Sequence, residues 1–167
     1  MSTEQNKATL RRFYEEVFNQ GKYSVLDEIC VPNYVSHSPG NPPGIPNNRD
    51  GLRQIIMMYR NAVPDIHFTI EDIMAEGDKV VCRWSSTGTH KGELLGIPAT
   101  NKRATVTGTD ITRCENGKLA EGWGVFDQLG LLQQLGVIPM GEQAAKQAAE
   151  MKAQATKRGP MEQRPPM

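Results

Sequence analysis

The stretch that decides the fold is RATVTGTDITRCENGKLAEGWGVFD, residues 103–127. Side chains alternate in character along its first half, which predicts a strand over residues 103–114. Asn116-Gly117 is a residue pair that two-stranded hairpins favour at their turns. The second half places Ala120, Gly122 and Gly124 at alternate positions, although glycine inside a strand forfeits packing. Either these three residues pack closely against another element, or their face is left open for a ligand.

The length of the turn decides which residues share a face of this hairpin. A two-residue loop at Asn116-Gly117 sets Asp110 beside Glu121 and Trp123. A three-residue loop, with its glycine left-handed in a bulge, shifts the register by one residue and exchanges the two faces. In that second register Asp110 lies beside the small residues of the other strand.

The rest of the chain shows helical spacing first and strand spacing later. Apolar residues at the helical period predict helices from a cap at Ser2 or Thr3 to Phe18, around residues 25–29, and from Asn48 or Asp50 to Val63. Four prolines and two glycines predict a loop over residues 33–48. Alternation predicts strands over residues 66–71 and 80–89, followed by a loop over residues 90–102.

This order of elements predicts an α+β domain over residues 1–140. Three N-terminal helices pack on one face of a strongly bent antiparallel sheet, and a short helix near residues 129–135 closes it. Such a curled sheet forms a cone with an open end. Residues 141–167 have no branched aliphatic or aromatic side chain, so we expect a flexible or marginally helical tail.

Composition excludes several classes of function. The chain has 19 Lys and Arg against 19 Asp and Glu, and this zero net charge disfavours nucleic acid and anionic membranes as partners. No long apolar run is present near the N-terminus, so we expect a cytoplasmic protein without a membrane span. Three widely spaced cysteines without a CxxC pair fit a reducing compartment, and the histidine spacing predicts no metal site.

Four segments carry a resemblance to a known family. They are RRFYEEVFNQG (11–21), PNYVSHSPG (32–40), GTHKGELLGIPATNKR (88–103) and GTDITRCENGKLAEGWGVFDQLGLLQQLG (108–136). Over about residues 10–137 the chain resembles the SnoaL-like polyketide cyclase, or ester cyclase, family. The resemblance implies the nuclear-transport-factor-2-like (NTF2-like) cone. It also implies cofactor-independent ring closure of a polyketide ester by aldol chemistry, with an acid/base side chain inside the cone.

The resemblance also implies where the active groups of the family would fall. Family cyclases carry their principal acid/base aspartate on the last strand, at the position of Gly124. They carry a histidine on the preceding strand, at the position of Asp110. Positions 110 and 124 must then face one cavity, which favours the second register. The face formed by Ala120, Gly122 and Gly124 is accordingly interpreted as the floor of a pocket.

These considerations give a set of candidate site residues. Asp110 is either a structural or edge-strand carboxylate or the acid/base of the pocket, where burial would raise the pKa of its carboxyl towards neutrality. His37 is a candidate proton-transfer partner or loop hydrogen-bonding group. Arg83 either anchors a ligand oxygen or lies on the polar strand face. The remaining candidates for the pocket wall are Gly122, Gly124, Tyr34 and Tyr59.

Two classes of function therefore stay open. The first is a cofactor-independent cyclase, lyase or isomerase that acts on a small to medium apolar carbonyl compound. The second is a non-catalytic module of the same fold, which binds a small molecule or forms a homodimer or higher homo-oligomer. Glycine at position 124, where the family has its aspartate, is the reason that the second class stays open.

The composition of the tail yields a first prediction. Residues 145–167 offer almost no apolar surface to bury, so we expect their removal to change the free energy of unfolding by less than about 0.5 kcal/mol. Thermal denaturation of the full chain and the truncated chain measures the difference. A fall in Tm of several degrees would show that the tail docks on the domain.

Overall fold

Local capping sets the ends of the helices. The computed structural model describes residues 2–143, 145–147 and 149–150. Ser2 Oγ accepts a hydrogen bond from the Gln5 backbone N–H at 3.2 Å, and Gln5 Oε1 accepts one from the Ser2 N–H at 3.0 Å. This reciprocal pair is the capping box that the sequence predicts. Asn48 and Asp127 each cap a later helix through Oδ1.

The elements follow the predicted order, with one added strand. The helices are α1 (Thr3–Arg12), a π-helical segment (Phe13–Asn19) that continues it, α2 (Val25–Ile29), α3 (Arg49–Ala62) and α4 (Gln128–Gln134). The strands are β1 (Cys30–Ser36), β2 (His67–Glu76), β3 (Lys79–Thr89), β4 (Arg103–Glu115) and β5 (Lys118–Phe126). Of the predicted tail, residues 141–143, 145–147 and 149–150 are helical, and residues 144, 148 and 151–167 lie outside the described residues.

The sheet has the strand order β1-β5-β4-β3-β2. Strands β2 to β5 form the predicted antiparallel meander. The prediction of a loop over residues 33–48 is wrong for residues 33–36, which belong to β1. This strand pairs in parallel with β5, with Val35 opposite Glu121. Pro32 lies within β1, and an edge strand tolerates proline because one side of its backbone is unpaired. This proline is the reason that the sequence pattern does not indicate a strand.

The pairing of β4 with β5 places Asp110 opposite Gly124. The predicted register is therefore correct, but the predicted three-residue loop is wrong. Asn116 and Gly117 form a two-residue turn with φ of 50° and 77°, which is the left-handed geometry that such turns need. The shift arises instead in β5, where Ala120 is the extra residue of a β-bulge between the Cys114–Leu119 and Arg113–Glu121 pairs.

The core lies between the helices and the concave face of the sheet. Its fully buried side chains come from both layers, including Leu10, Tyr14, Val17, Leu26, Ile56, Val80, Cys82 and Leu119. All three cysteines are buried and unpaired with one another. Burial raises the pKa of the Cys82 thiol to about 12, so it stays a neutral thiol. None of the helices that the structure describes combines the length and apolar character needed to cross a membrane.

Close packing of β1 on β5 yields a second prediction. A methyl group on residue 122 would collide with the Tyr34 hydroxyl and lie 3.2 Å from Tyr34 Cζ. We expect Gly122→Ala to lower the free energy of unfolding by about 1–3 kcal/mol, the usual cost of overpacking. We expect a smaller cost in a Tyr34→Phe background, because the colliding oxygen is gone. Urea denaturation of the four proteins gives this coupling. Equal costs in the two backgrounds would contradict it.

Candidate functional site

A cavity of about 450 Å³ lies between the helical layer and the concave face of the sheet. Apolar and aromatic side chains make up most of its lining, as in small-molecule sites generally. The π-helical segment contributes Phe13, Tyr14 and Phe18, and α3 contributes Leu52, Ile55 and Tyr59. The sheet contributes Phe68, Trp84, Val106 and Asp110 among others.

Asp110 is the polar centre of this cavity. Its Oδ2 accepts hydrogen bonds from the Tyr14 hydroxyl and, at 2.8 Å, from Trp84 Nε1. Tyr14 lies in the π-helical segment, and such segments often occur at functional sites. The described residues donate no hydrogen bond to Oδ1. The carboxylate is half-buried and lines the cavity, so Oδ1 is the oxygen left for a ligand.

The surroundings of Asp110 alter its proton affinity. Burial raises the pKa of its carboxyl above the ordinary 3.8, and the hydrogen bonds from Tyr14 and Trp84 offset part of this rise. Burial, together with the nearby Asp110, holds the pKa of Tyr14 well above its usual value. Tyr14 therefore remains a hydrogen-bond donor over the whole physiological range, and the indole of Trp84 can only donate.

The small residues of β5 make room for the chain's own polar groups. A Cβ atom at position 124 would collide with Asp110 Oδ1 and lie 3.0 Å from Ser38 Oγ. Ser38 Oγ itself accepts a hydrogen bond from the Gly124 N–H at 3.0 Å. Both Gly122 and Gly124 line the cavity. The expectation of an empty face is wrong, because the Tyr34 hydroxyl and the Asp110 carboxylate fill the space above them.

Tyr34 and Tyr59 both line the cavity. Tyr34 extends from β1 and is buried, with its hydroxyl beside Gly122. Burial raises the pKa of both phenols, and for Tyr34 the nearby Cys30 and Asp110 add to the rise. Both hydroxyls are therefore protonated near neutrality and can donate to a ligand oxygen.

The structure does not bring His37 or Arg83 to the cavity. The His37 ring stacks on Trp123 at a centroid distance of 4.8 Å, and its Nε2 lies 3.3 Å from Glu121 Oε2. Arg83 pairs with Asp72 at 2.6 Å, and both side chains are more than half exposed. Neither residue is part of the cavity lining. Successive side chains of an extended strand point to opposite faces. Ser36 and Ser38 line the cavity and Cys82 and Trp84 are buried, so His37 and Arg83 between them point outward.

Sequence reasoning did not identify several residues of the site. Tyr14 follows the apolar spacing of its helix and is indistinguishable from a core residue. Trp84 shares the inner face of β3 with Cys82, but no local pattern connects it to an aspartate on β4. His90 is the first residue of the loop predicted over residues 90–102, and it is only 2% exposed and lines the cavity. Among the described residues, no group of three or more His, Cys, Asp or Glu could hold a metal ion.

The raised pKa of Asp110 yields a third prediction. Above the ordinary value of 3.8, native Asp110 keeps a proton that the unfolded chain has released. The native state then binds more protons, so the free energy of unfolding falls as pH rises through this window. We expect Asp110→Asn to remove this slope. Denaturation series of both proteins from about pH 4 to 8 measure it. Tyr14, Tyr34 and Cys82, which surround Asp110, all have raised pKa values and do not titrate there.

Asp65 provides a control of opposite sign for this measurement. Hydrogen bonds from the Thr89 backbone and side chain lower the pKa of its carboxyl. Its contribution to stability is therefore fully present above the ordinary value of 3.8 and is lost only below it, so Asp65→Asn should lower stability without changing the slope above about pH 5. Superimposable profiles for wild type and Asp110→Asn would show that Asp110 is an ordinary solvated carboxylate.

Comparison with known proteins agrees with this architecture. The sequence model of the SnoaL-like polyketide cyclase family matches residues 8–135. TsrD from Streptomyces laurentii is 32% identical, with a TM-score of 0.74 over 83% of this chain and 99% of that chain. IdmH from Streptomyces antibioticus, a proposed polyketide cyclase, is 33% identical, with a TM-score of 0.70 over 79% of this chain and 99% of that one.

A third similar structure has a different name. AclR from Streptomyces galilaeus, a proposed hydroxylase, is 27% identical, with a TM-score of 0.71 over 83% of this chain and 100% of its own. The comparison with curated proteins returned no match. These neighbours confirm the predicted NTF2-like architecture of helices on a curled sheet. The family match spans most of the chain and includes Tyr14, Trp84 and Asp110, so the protein belongs to the SnoaL-like polyketide cyclase family.

Proposed function

We propose that this protein is a cofactor-independent acid/base enzyme of the cyclase type, acting on a small to medium apolar carbonyl compound. One observation supports this above all. The Asp110 carboxylate lies in an otherwise mainly apolar cavity, with Oδ2 held by two donors and Oδ1 free to meet a ligand. A positioned carboxylate whose pKa is raised is a suitable general base near neutral pH.

The proposed reaction requires only the transfer of a proton and the formation of one carbon–carbon bond. Asp110 Oδ1 removes a proton from the carbon next to a ligand carbonyl, which leaves an enolate. The enolate carbon attacks a second carbonyl of the same molecule and closes a ring. The oxygen of the attacked carbonyl, now an alkoxide, takes the proton back from Asp110. No atom is gained or lost, so this step is an isomerisation with no redox change.

Residues around Asp110 support this sequence in different ways. Tyr14 and Trp84 fix the orientation of the carboxylate through Oδ2 and keep its basicity below that of an unpartnered buried carboxyl. The hydroxyls of Tyr34 and Tyr59 are available to donate to the carbonyl oxygen, where negative charge develops on enolate formation. His37 and Arg83 lie outside the cavity and have no part in the proposal.

The position of Asp110 also explains how glycine at position 124 is compatible with activity. In the family resemblance, the principal acid/base aspartate falls at position 124. Here the Asp110 carboxylate, from the neighbouring strand, occupies the space in which a side chain at 124 would begin. We infer that the acid/base function has moved from β5 to β4, with the carboxylate kept at the same place in the cavity.

A non-catalytic module of the same fold is the second candidate. Gly124, in place of the family aspartate, favours a protein that binds a small molecule without turnover. A dimerisation role is supported by a separate observation. Ile111, Trp123 and Val125 lie close together on the outer face of β4 and β5, and their exposed fractions are 40%, 37% and 62%. Large apolar side chains grouped on a sheet face are typical of contact surfaces.

Proton exchange separates the catalytic candidate from the other two. In deuterated water, we expect the wild-type protein to catalyse exchange of the α-protons of a bound methyl nonyl ketone, followed by NMR. Asp110→Asn should lower this rate by at least about 10²-fold, because general-base catalysis is lost. Asp72→Asn is the matched control, since it removes an exposed carboxylate whose ion pair contributes little to stability.

The outcomes separate catalysis at Asp110 from catalysis at another residue and from binding alone. Exchange that survives in Asp110→Asn would place the chemistry at another residue. Binding without exchange in the wild type would favour the non-catalytic module. A loss of exchange in both Asp110→Asn and Asp72→Asn would show that the effect is not specific to the cavity.

A further inference from the structure

Ser38 places a hydroxyl group beside Asp110 in the cavity. It follows the end of β1 by two positions, is half-buried and lines the cavity. Its Oγ accepts a hydrogen bond from the Gly124 N–H at 3.0 Å. The pairing of β1 with β5 ends at Ser36 opposite Gly122. Beyond that point the Ser38 side chain, and not the backbone of β1, serves the Gly124 N–H.

The backbone around Ser38 holds this hydroxyl in place. The His37 N–H donates to the Gly122 carbonyl at 2.7 Å, and the Asn41 N–H donates to the Ser38 carbonyl at 3.2 Å. Pro39 follows directly, and its ring restricts Ser38 to extended backbone conformations. A donor that is fixed before the ligand arrives can stabilise developing charge without reorganisation of the protein.

The Ser38 hydroxyl retains a proton that it can donate to a ligand. A serine hydroxyl has one O–H donor and two acceptor lone pairs. The Gly124 N–H uses one lone pair, and the O–H donates to no acceptor among the residues that the structure describes. Because an N–H already donates to this oxygen, its own O–H is polarised and becomes a better donor.

Ser38 Oγ and Asp110 Oδ1 border one small space in the cavity. Both oxygens lie within 3.0 Å of the point that a Cβ atom of residue 124 would occupy, and no hydrogen bond joins them. The described side-chain atoms that are both unpartnered and sealed from solvent are Asn6 Oδ1, Arg49 Nε and His90 Nε2. Asp110 Oδ1 is unpartnered but is not among these sealed atoms, so it is open to the cavity that Asp110 lines.

This arrangement suits a carbonyl group and the carbon next to it. In the proposed reaction, Asp110 Oδ1 faces the carbon that loses its proton, and the carbonyl oxygen is two bonds away from that carbon. Negative charge develops on this oxygen as the enolate forms, so a donor placed there lowers the barrier. Ser38 Oγ shares the space above Gly124 with Asp110 Oδ1, whereas the Tyr34 hydroxyl lies above Gly122, the next position on the same face of β5.

We propose that Ser38 binds the carbonyl oxygen of the ligand, through an O–H hydrogen bond that strengthens as this oxygen becomes an enolate. The Gly124 N–H supports the hydroxyl from behind. The proton stays on Ser38 throughout, so proton transfer remains with Asp110. The inference rests on the proposed function for the enolate charge, but the hydrogen bond to the neutral carbonyl requires no turnover.

Carbon-13 NMR of a bound ketone tests this hydrogen bond directly. The probe is methyl nonyl ketone labelled at its carbonyl carbon, whose resonance moves downfield when the oxygen accepts a hydrogen bond. In the wild-type complex we expect the resonance downfield of its position in hexane, and Ser38→Ala should move it back upfield. Ser38→Thr keeps a hydroxyl at this position and should retain most of the wild-type shift.

Ser86→Ala is the matched control, because it removes one hydroxyl from the same cavity at a distance from Asp110. Ser86 is 8% exposed, lines the cavity and pairs with Val106, four positions (110 − 106) along β4 from Asp110. The carbonyl resonance should keep its wild-type position in this variant. The proposal is overturned if Ser38→Ala leaves the resonance unmoved. A wild-type resonance at the hexane position would also overturn it, and that result needs no variant that folds.

Proton exchange in deuterated water then measures the effect of Ser38 on the reaction. At saturating ketone, Ser38→Ala should lower the exchange rate by about 10²-fold, the usual effect of losing one oxyanion donor. The Kd of the ketone should rise by less than about tenfold, because a hydrogen bond to a neutral carbonyl is weaker than one to an enolate. An unchanged exchange rate at saturation, with only Kd altered, would overturn the proposal.

The two measurements separate this proposal from the proposed function. A carbonyl shift that depends on Ser38, without exchange in the wild type, would contradict the proposed enzyme and retain Ser38 as the residue that binds the carbonyl oxygen. Exchange in the wild type, with a resonance that Ser38→Ala does not move, would contradict the role of Ser38 and leave the proposed function intact.

Discussion

The pairing of β4 with β5 is the constraint on which the site depends. It places Asp110 opposite Gly124 and therefore directs the carboxylate into the cavity. Because side chains alternate between the faces of a strand, a slip of one residue would direct the carboxylate to the outer face. Without a bulge, the two-residue Asn116-Gly117 turn would pair Asp110 with Trp123. The extra residue Ala120 shifts the pairing by one, so that Asp110 lies opposite Gly124. The bulge therefore sets which residues of β5 lie beside Asp110 at the cavity.

The hydrogen bonds of Asp110 connect the two layers of the domain. Tyr14 comes from the helical layer and Trp84 from β3, and both donate to the same carboxylate oxygen. Gly108 allows this, because a Cβ atom there would collide with the indole ring of Trp84. The carboxylate is thus held in place without being fully neutralised by its partners. Burial and hydrogen bonding act in opposite directions on its pKa, and burial has the larger effect.

Relatives of this protein show why the site has to be considered residue by residue. Structures named as a proposed cyclase and a proposed hydroxylase are both similar to this chain over most of its length. One fold can support different chemistry, since the fold provides the cavity and individual side chains provide the reactive groups. In this chain the carboxyl that we propose as the acid/base is on β4, and the glycine at position 124 on β5 leaves space for it.

The sequence by itself determined the elements that have a clear local pattern. Helical spacing and the capping residues identified the helices, alternation identified β2 to β5, and Asp110 stood out as a carboxylate in the middle of a strand. These features depend on residues only a few positions apart, so a single sequence is sufficient to detect them.

Only the tertiary structure decided the features that depend on distant residues. Strand β1 is an edge strand containing proline, and its pairing with β5 has no local signal. The bulge at Ala120, the outward placement of His37 and Arg83, and the partnership of Tyr14 and Trp84 with Asp110 all arise from contacts between separate elements. His90 begins a predicted loop, yet it is buried, and Thr100 from the far end of that loop hydrogen-bonds to its ring. Burial is a property of the assembled layers, and local sequence does not encode it.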